Sequence, residues 1–325
     1  MEKSSMFLTP ETIAILILDC IFIVFAFFAF VISINIVKKW DLNSTSSLQY
    51  SLEKKAILAA TIIKYIFVLK LPLFMFFVFT ADKISGVITG AMCAAGVVNS
   101  VEFGLWLFVF KIINLFVFGF WIALHVKDMQ DEKLSLTKLK FSIFLVAFLL
   151  LIIEIAYEIS FFASLDVDKI VSCCGTLFSV ASASSFSVIF MIPNNIIITI
   201  FYATFFLYLV SFFLKSELFF FFSNLVFFIV SIISLILFFC TYIYELPTHH
   251  CPFCFLQKEY HYVGYLLYVT LFIGTFSGIS GSILSLLKPH HSKSYYKVSL
   301  FFNTLYTAII TAYPVVFYIK NGVWL

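Results

Sequence analysis

The sequence predicts an all-α, polytopic integral membrane helical bundle of about eight transmembrane helices. It forms a single transmembrane domain over residues 1–325, with no separate soluble domain. Three observations carry this reading. The 325 residues are 63% hydrophobic and only 11% charged, against roughly half apolar and about a quarter charged in a soluble domain. The mean hydropathy is +1.10. Finally, the apolar residues gather into eight runs, each close to the roughly 20 residues that cross a bilayer.

The runs are Ile13–Val37, Ala56–Thr80, Val101–Leu124, Phe141–Phe161, Asn195–Leu214, Leu218–Tyr244, Tyr260–Leu287 and Val298–Ile319. Backbone groups in hydrocarbon must be satisfied within their own segment, so each run reads as a helix. The first is too long for a signal-peptide core and lacks a small-residue cleavage site, so it reads as a membrane helix. Pro72 predicts a kink in the second. All twenty basic residues are Lys, and Phe reaches 45. Phe, Ile and Lys have AT-rich codons, which points to an AT-rich, bacterial genome. Phe runs such as Phe219–Phe222 then read as lipid-facing filler. The net charge of +3 is spread along the loops and offers no nucleic-acid surface.

Orientation follows from the lysines. Lys38, Lys39, Lys54, Lys55, Lys127, Lys133, Lys138, Lys140, Lys215, Lys288, Lys293 and Lys297 fall on one side. The other has Lys3, Lys83, Lys169, Lys258 and Lys320. The expected placement is a bacterial cytoplasmic (inner) membrane, with the Lys-rich side cytoplasmic and both termini outside. The three outer loops, 81–100, 162–194 and 245–259, then carry Cys93, Cys173, Cys174, Cys251 and Cys254. Cys20 and Cys240 fall in outer halves of helices. The outer side is also the oxidising one.

The strongest local signal is Pro247-Thr248-His249-His250-Cys251-Pro252-Phe253-Cys254-Phe255-Leu256-Gln257-Lys258. A C-x-x-C at the start of the seventh helix would have its thiolate favoured by the helix N-terminus, and by His249 and His250 when protonated. Such a dithiol suits thiol–disulfide exchange or soft-metal binding; a structural disulfide is the plainer alternative. Cys251-Pro252-Phe253-Cys254-Phe255-Leu256-Gln257-Lys258 resembles the motif of the DsbB family of disulfide-forming membrane proteins. The vitamin K epoxide reductase family uses a similar helix-start C-x-x-C. The resemblance covers about fifteen to twenty residues. It implies oxidation of a thioredoxin-like or other cysteine-containing partner outside the cytoplasm, with electrons passed to a membrane quinone near Gln257 and Lys258. This chain has about twice the family's four helices, and Lys258 stands where the family has Arg. A second cysteine pair would have to come from Cys93, Cys173 or Cys174.

Cys173 and Cys174 are adjacent, and neighbouring Cα atoms lie about 3.8 Å apart, shorter than disulfides prefer. A vicinal bridge would be strained. Pairing with other loops, holding a soft metal, or simply being small residues of a Ser-rich loop all remain open. Cys93 lies in Gly90-Ala91-Met92-Cys93-Ala94-Ala95-Gly96, whose small residues permit close backbone approach; Met92 offers a thioether beside it. His125, His290 and His291 read as interfacial, and His261 as a polar residue near the C-x-x-C.

Six charges fall inside the runs: Asp19, Lys64, Lys70, Lys111, Glu154 and Glu158. Each costs roughly 2.5–3.5 kcal/mol at a helix centre, so they should face the bundle interior or water. Glu154 and Glu158 are four apart and share a helix face. A proton path, a ligand set, or ion pairs with Lys70 or Lys111 all fit.

Three function classes follow. The first is a membrane thiol–disulfide oxidoreductase, with or without a quinone link. The second is a metal-binding or metal-transfer protein using His249, His250, Cys251, Cys254, Cys93 and the Cys173–Cys174 pair for copper or zinc. The third is a non-catalytic membrane subunit whose cysteines staple loops. Reporter fusions at Lys133 and at the C-terminus are expected to report opposite sides of the membrane; the same side for both would overturn the topology.

Overall fold

The computed structural model describes residues 9–41, 44, 46–131, 134–166, 171, 192–214, 216–287 and 293–325. Cys173, Cys174, His290 and His291 lie outside them. The described residues are helical with no strand. Eight helices are long and apolar enough to cross a membrane. The chain is an all-α integral membrane protein, and it divides into two compact units, one of residues 1–89 and 97–171, the other of residues 90–96 and 172–325.

The first unit contains α1 (Pro10–Lys39), α2 (Ser47–Ser85), α4 (Gly104–Met129) and α5 (Thr137–Ser164). The short α3 (Ala94–Ser100) carries the chain between the units. Local chemistry sets the helix ends. Thr9 caps α1, accepting from Thr12 N, with Pro10 in the first turn and Lys38 and Lys39 in the last; these suit the orphan donors and the dipole of each end. Ser46 caps α2 through Gln49 N. α2 begins well before the apolar run and stays helical through Pro72. The α4–α5 turn is tied by Asp128, whose carboxylate accepts from Leu136 N at 3.0 Å, Thr137 Oγ1 at 2.7 Å and Lys140 Nζ at 2.6 Å.

In this unit α1 packs on α2 and α5, and α4 on α2 and α5. Five of the six intramembrane charges meet there. Lys70 lies 2.6 Å from Asp19 and 3.3 Å from Glu154; Lys111 lies 3.0 Å from Glu154 and 2.7 Å from Glu158. The sixth, Lys64, instead sits over the ring of Tyr65.

The second unit contains α6 (Asn194–Leu214), α7 (Glu217–Ser234), a π-helical turn (Leu235–Phe239), α8 (Cys240–Tyr244), α9 (Val263–Leu287) and α10 (Lys293–Asn321). The seventh apolar run was expected to begin at Tyr260. Instead, the chain after Cys254 makes two single 3-10 turns, Cys254–Leu256 and Lys258–Tyr260, and α9 starts only at Val263. The left-handed backbone at His261 (φ 53°) and Tyr262 (φ 57°) separates them.

α9 presents small residues to α7 and α10. A Cβ on Gly278 would come within 2.2 Å of the Asn224 amide and 2.7 Å of Ser299 Oγ. Close approach lets polar side chains pair across helices, as small-residue interfaces do in membranes. Asn303 donates to Asn224 Oδ1 at 3.1 Å, and Tyr208 and Ser299 share a 3.0 Å hydrogen bond. Gly264 plays the equivalent part at the other end of α9. A Cβ there would lie 2.3 Å from the Phe255 ring and 2.8 Å from Leu256, so its absence lets the Cys254–Leu256 turn rest on the helix. Gly264→Ala is expected to cost about 1–3 kcal/mol through overpacking. The check is the thermal unfolding midpoint in detergent, with Gly86→Ala as the reference, since a Cβ there meets only an ordinary 3.6 Å contact with Lys83 O on a helical backbone (φ −67°).

Candidate functional site

Three of the sequence's candidate cysteines meet within the second unit. The sulfurs of Cys93, Cys251 and Cys254 all lie within 4.8 Å of one another, and Cys93 and Cys251 approach to 3.5 Å. Cys93 and Cys251 are buried to 0% and 1% exposure. None of the five described cysteines is in a disulfide.

Cys93 comes from the small-residue segment, just before α3. Gly90 takes φ 88°, a value that favours glycine. Gly96 N donates to Cys93 O at 3.0 Å. Gln257 Nε2 donates to the Met92 carbonyl at 3.0 Å, joining the segment that holds Cys93 to the one that holds Cys254. Gln257 therefore fastens the two cysteine segments together. Met92 is exposed (64%), which removes its thioether from the buried centre. Lys258 is exposed as well.

The C-x-x-C segment is held by tyrosines. Tyr244, at the end of α8, donates from its hydroxyl to Cys251 O at 2.5 Å and accepts from Phe255 N at 3.0 Å. Tyr268, on α9, donates to Pro252 O at 2.5 Å. Cys240 Sγ lies 3.6 Å from Cys251 O as a weak donor. The π turn before Cys240 closes its ring by a hydrogen bond from Cys240 N to Leu235 O. Ile236 O, inside that turn, accepts from His250 Nδ1 at 3.1 Å. A π turn widens a helix and releases a carbonyl from the ladder; here the loop histidine uses it.

The sequence placed the C-x-x-C at the start of a long helix, with a dipole-stabilised thiolate. The geometry corrects this: Cys254 opens a single 3-10 turn, and the macrodipole acts only within the first turn of a long helix. Protonated His249 was the second expected support for the thiolate. Burial lowers the His249 imidazole below its ordinary value; a Cys93 thiolate opposes this and His250 adds to it. His249 is therefore neutral at neutral pH, and its Nε2 is buried with no hydrogen-bond partner. Burial raises Tyr260 above its usual value, and Cys254 and Glu259 add to it.

Sequence reasoning did not find Tyr244, Tyr268 and Cys240 as the frame of the site. In a chain with 16 Tyr nothing marked them. The one available signal was the need of a buried turn for donors to its carbonyls. No family model, curated protein or solved structure matches this chain, so the functional reading rests on the geometry. Tyr244→Phe removes the bridge between Cys251 O and Phe255 N. It is expected to cost about 1–3 kcal/mol and to speed maleimide labelling of Cys251, followed by mass spectrometry; unchanged labelling would remove Tyr244 from the site's support.

Proposed function

We propose that this chain is a membrane metal-binding or metal-transfer protein, whose centre is the thiolate triad Cys93, Cys251 and Cys254. The observation that carries the reading is the convergence of three buried sulfurs within 4.8 Å. A Zn–S bond of about 2.3 Å places tetrahedral thiolates roughly 3.8 Å apart, and the 3.5 Å between Cys93 and Cys251 is close to that spacing. Sulfur ligands select soft ions such as copper(I) or zinc(II). His249 Nε2 has no hydrogen-bond partner but lies outside the group of ligand atoms within 4.8 Å of one another, so the three thiolates are the ligand set proposed. His250 supports the loop through Ile236 O.

The AT-rich codon bias supports a bacterial inner-membrane location, and the lysine bias supports an orientation with the cysteine centre and both termini on the non-cytoplasmic face. On this reading Lys3, Lys83, Lys169, Lys258 and Lys320 are the sparse lysines of that face, and Lys320 pairs with Glu245 at 3.3 Å.

The second reading is the thiol–disulfide oxidoreductase. The 3.5 Å contact favours it, because a Cys93 thiolate could attack a Cys251–Cys254 disulfide, form a Cys93–Cys251 bond and release the Cys254 thiolate. That exchange is redox-neutral. Net oxidation of a partner dithiol would need a quinone to take two electrons and two protons. Burial ranks this reading second, since a partner cysteine has to reach a sulfur to exchange with it.

The test is metal analysis of protein purified anaerobically without chelators. About one copper or zinc per chain is expected, lost in Cys251→Ser and Cys93→Ser. Metal should also be released as the pH falls, because ligand thiols must be deprotonated to bind. No metal, together with quinone-dependent protection of Cys251 and Cys254 from a thiol mass tag, would overturn the metal reading in favour of the redox one. No metal and thiols unchanged across redox conditions would leave a structural subunit.

A further inference from the structure

The first unit holds a separate concentration of chemistry, independent of the cysteine reading. Asp19, Lys70, Glu154, Lys111 and Glu158 form one unbroken chain of ion pairs from α1 through α2, α5 and α4. Asn114 on α4 joins it, donating to Glu154 Oε2 at 2.5 Å. None of the six residues is more than 4% exposed.

The charges do not balance. Three carboxylates face two ammonium groups, which leaves one negative charge in excess when all are ionised. The other charges on these helices are engaged elsewhere or lie toward the helix ends. Glu11 pairs with Lys83 and Asp128 with Lys140; Lys64 covers Tyr65. An uncompensated buried carboxylate is costly enough that such groups take up a proton instead.

Hydrogen bonding gives a second, independent observation. Nine buried side-chain nitrogen or oxygen atoms among the described residues have no hydrogen-bond partner. Four belong to this cluster: both Asp19 oxygens, Glu158 Oε1 and Asn114 Oδ1. All four are acceptors. Asp19 Oδ1 lies 2.6 Å from the Lys70 ammonium and is paired with it, which leaves Asp19 Oδ2, Glu158 Oε1 and Asn114 Oδ1 as the acceptors without a donor. The cluster thus lacks one positive charge and is short of donors, and a single proton supplies the charge and one of those donors. A metal cation fits less well, since two ammonium groups already lie within 3.3 Å of the same carboxylates and would repel it.

We propose that the Asp19–Lys70–Glu154–Lys111–Glu158 cluster is an intramembrane proton-binding site that takes one proton from water onto its carboxylates and releases it again. Uptake converts the excess carboxylate to a carboxylic acid and brings the cluster to neutrality, with both lysines still charged.

Infrared difference spectra of the full chain in nanodiscs, recorded between acidic and alkaline buffers, test this. The wild type should show a protonated-carboxyl C=O band at neutral pH that is lost on alkalinisation. Glu158→Gln or Asp19→Asn should abolish that band, because the amide removes the excess charge. Lys111→Met, which leaves three carboxylates facing one lysine, should increase it. The wild-type spectrum tests for the buried acid even where one variant fails to fold, and any one folded variant assigns its band. No protonated carboxyl at neutral pH would overturn the proposal. So would a band that all three carboxylate-to-amide variants, including Glu154→Gln, leave unchanged. A sodium-dependent rise in thermal stability without such a band would overturn it too, assigning the site to a cation.

Discussion

A helix in hydrocarbon has no water to satisfy what it carries, and this constraint organises the rest of the structure. Each span satisfies its backbone internally, so only side chains and breaks in the helices are left to be met. In the first unit these are six intramembrane charges, five of which are drawn together by ion pairs of 2.6–3.3 Å. The second unit carries fewer charges in its spans and pairs amides and hydroxyls instead: Asn224, Asn303, Ser299 and Tyr208. That pairing needs the close backbone approach that Gly278 provides.

The same constraint shapes the cysteine centre. The loop between α8 and α9 is irregular and partly buried, so its carbonyls need donors that no helix supplies. Tyr244, Tyr268 and Cys240 reach Cys251 O and Pro252 O, and Gln257 reaches Met92 O. The π turn at Leu235–Phe239 gives up Ile236 O to His250. The thiols are thus fixed by a polar frame anchored on two spanning helices. A site held by elements of this kind keeps its geometry better than one on a free loop.

Burial then selects among the chemistries that three cysteines permit. Cys93 and Cys251 are buried, and burial also lowers the His249 imidazole below its ordinary value; on the metal reading this limits exchange with a partner cysteine. Cys254 opens a single 3-10 turn and not a long helix, so a helix dipole does not stabilise a lone thiolate there; on the metal reading a cation would neutralise the three together.

The sequence by itself determined the helical membrane class and the number and approximate places of eight spans, because length and hydropathy are local properties read directly against bilayer thickness. It also picked out Cys93, Cys251, Cys254 and the buried charges, since polar or reactive groups stand out in a chain this apolar. It misjudged the start of α9, because the aromatic Tyr260 and Tyr262 run on into the apolar segment in the sequence while left-handed backbone at His261 and Tyr262 breaks the chain there. Only the tertiary structure decided which cysteines meet, which tyrosines hold them, and which carboxylate shares which lysine. Cys93 and Cys251 stand 158 residues apart, and Lys70 and Glu154 are separated by 84. Hydropathy repeats every few residues and carries no record of partners at such distances; those are chosen by helix packing, where small residues allow backbones to approach and buried polar groups must find one another.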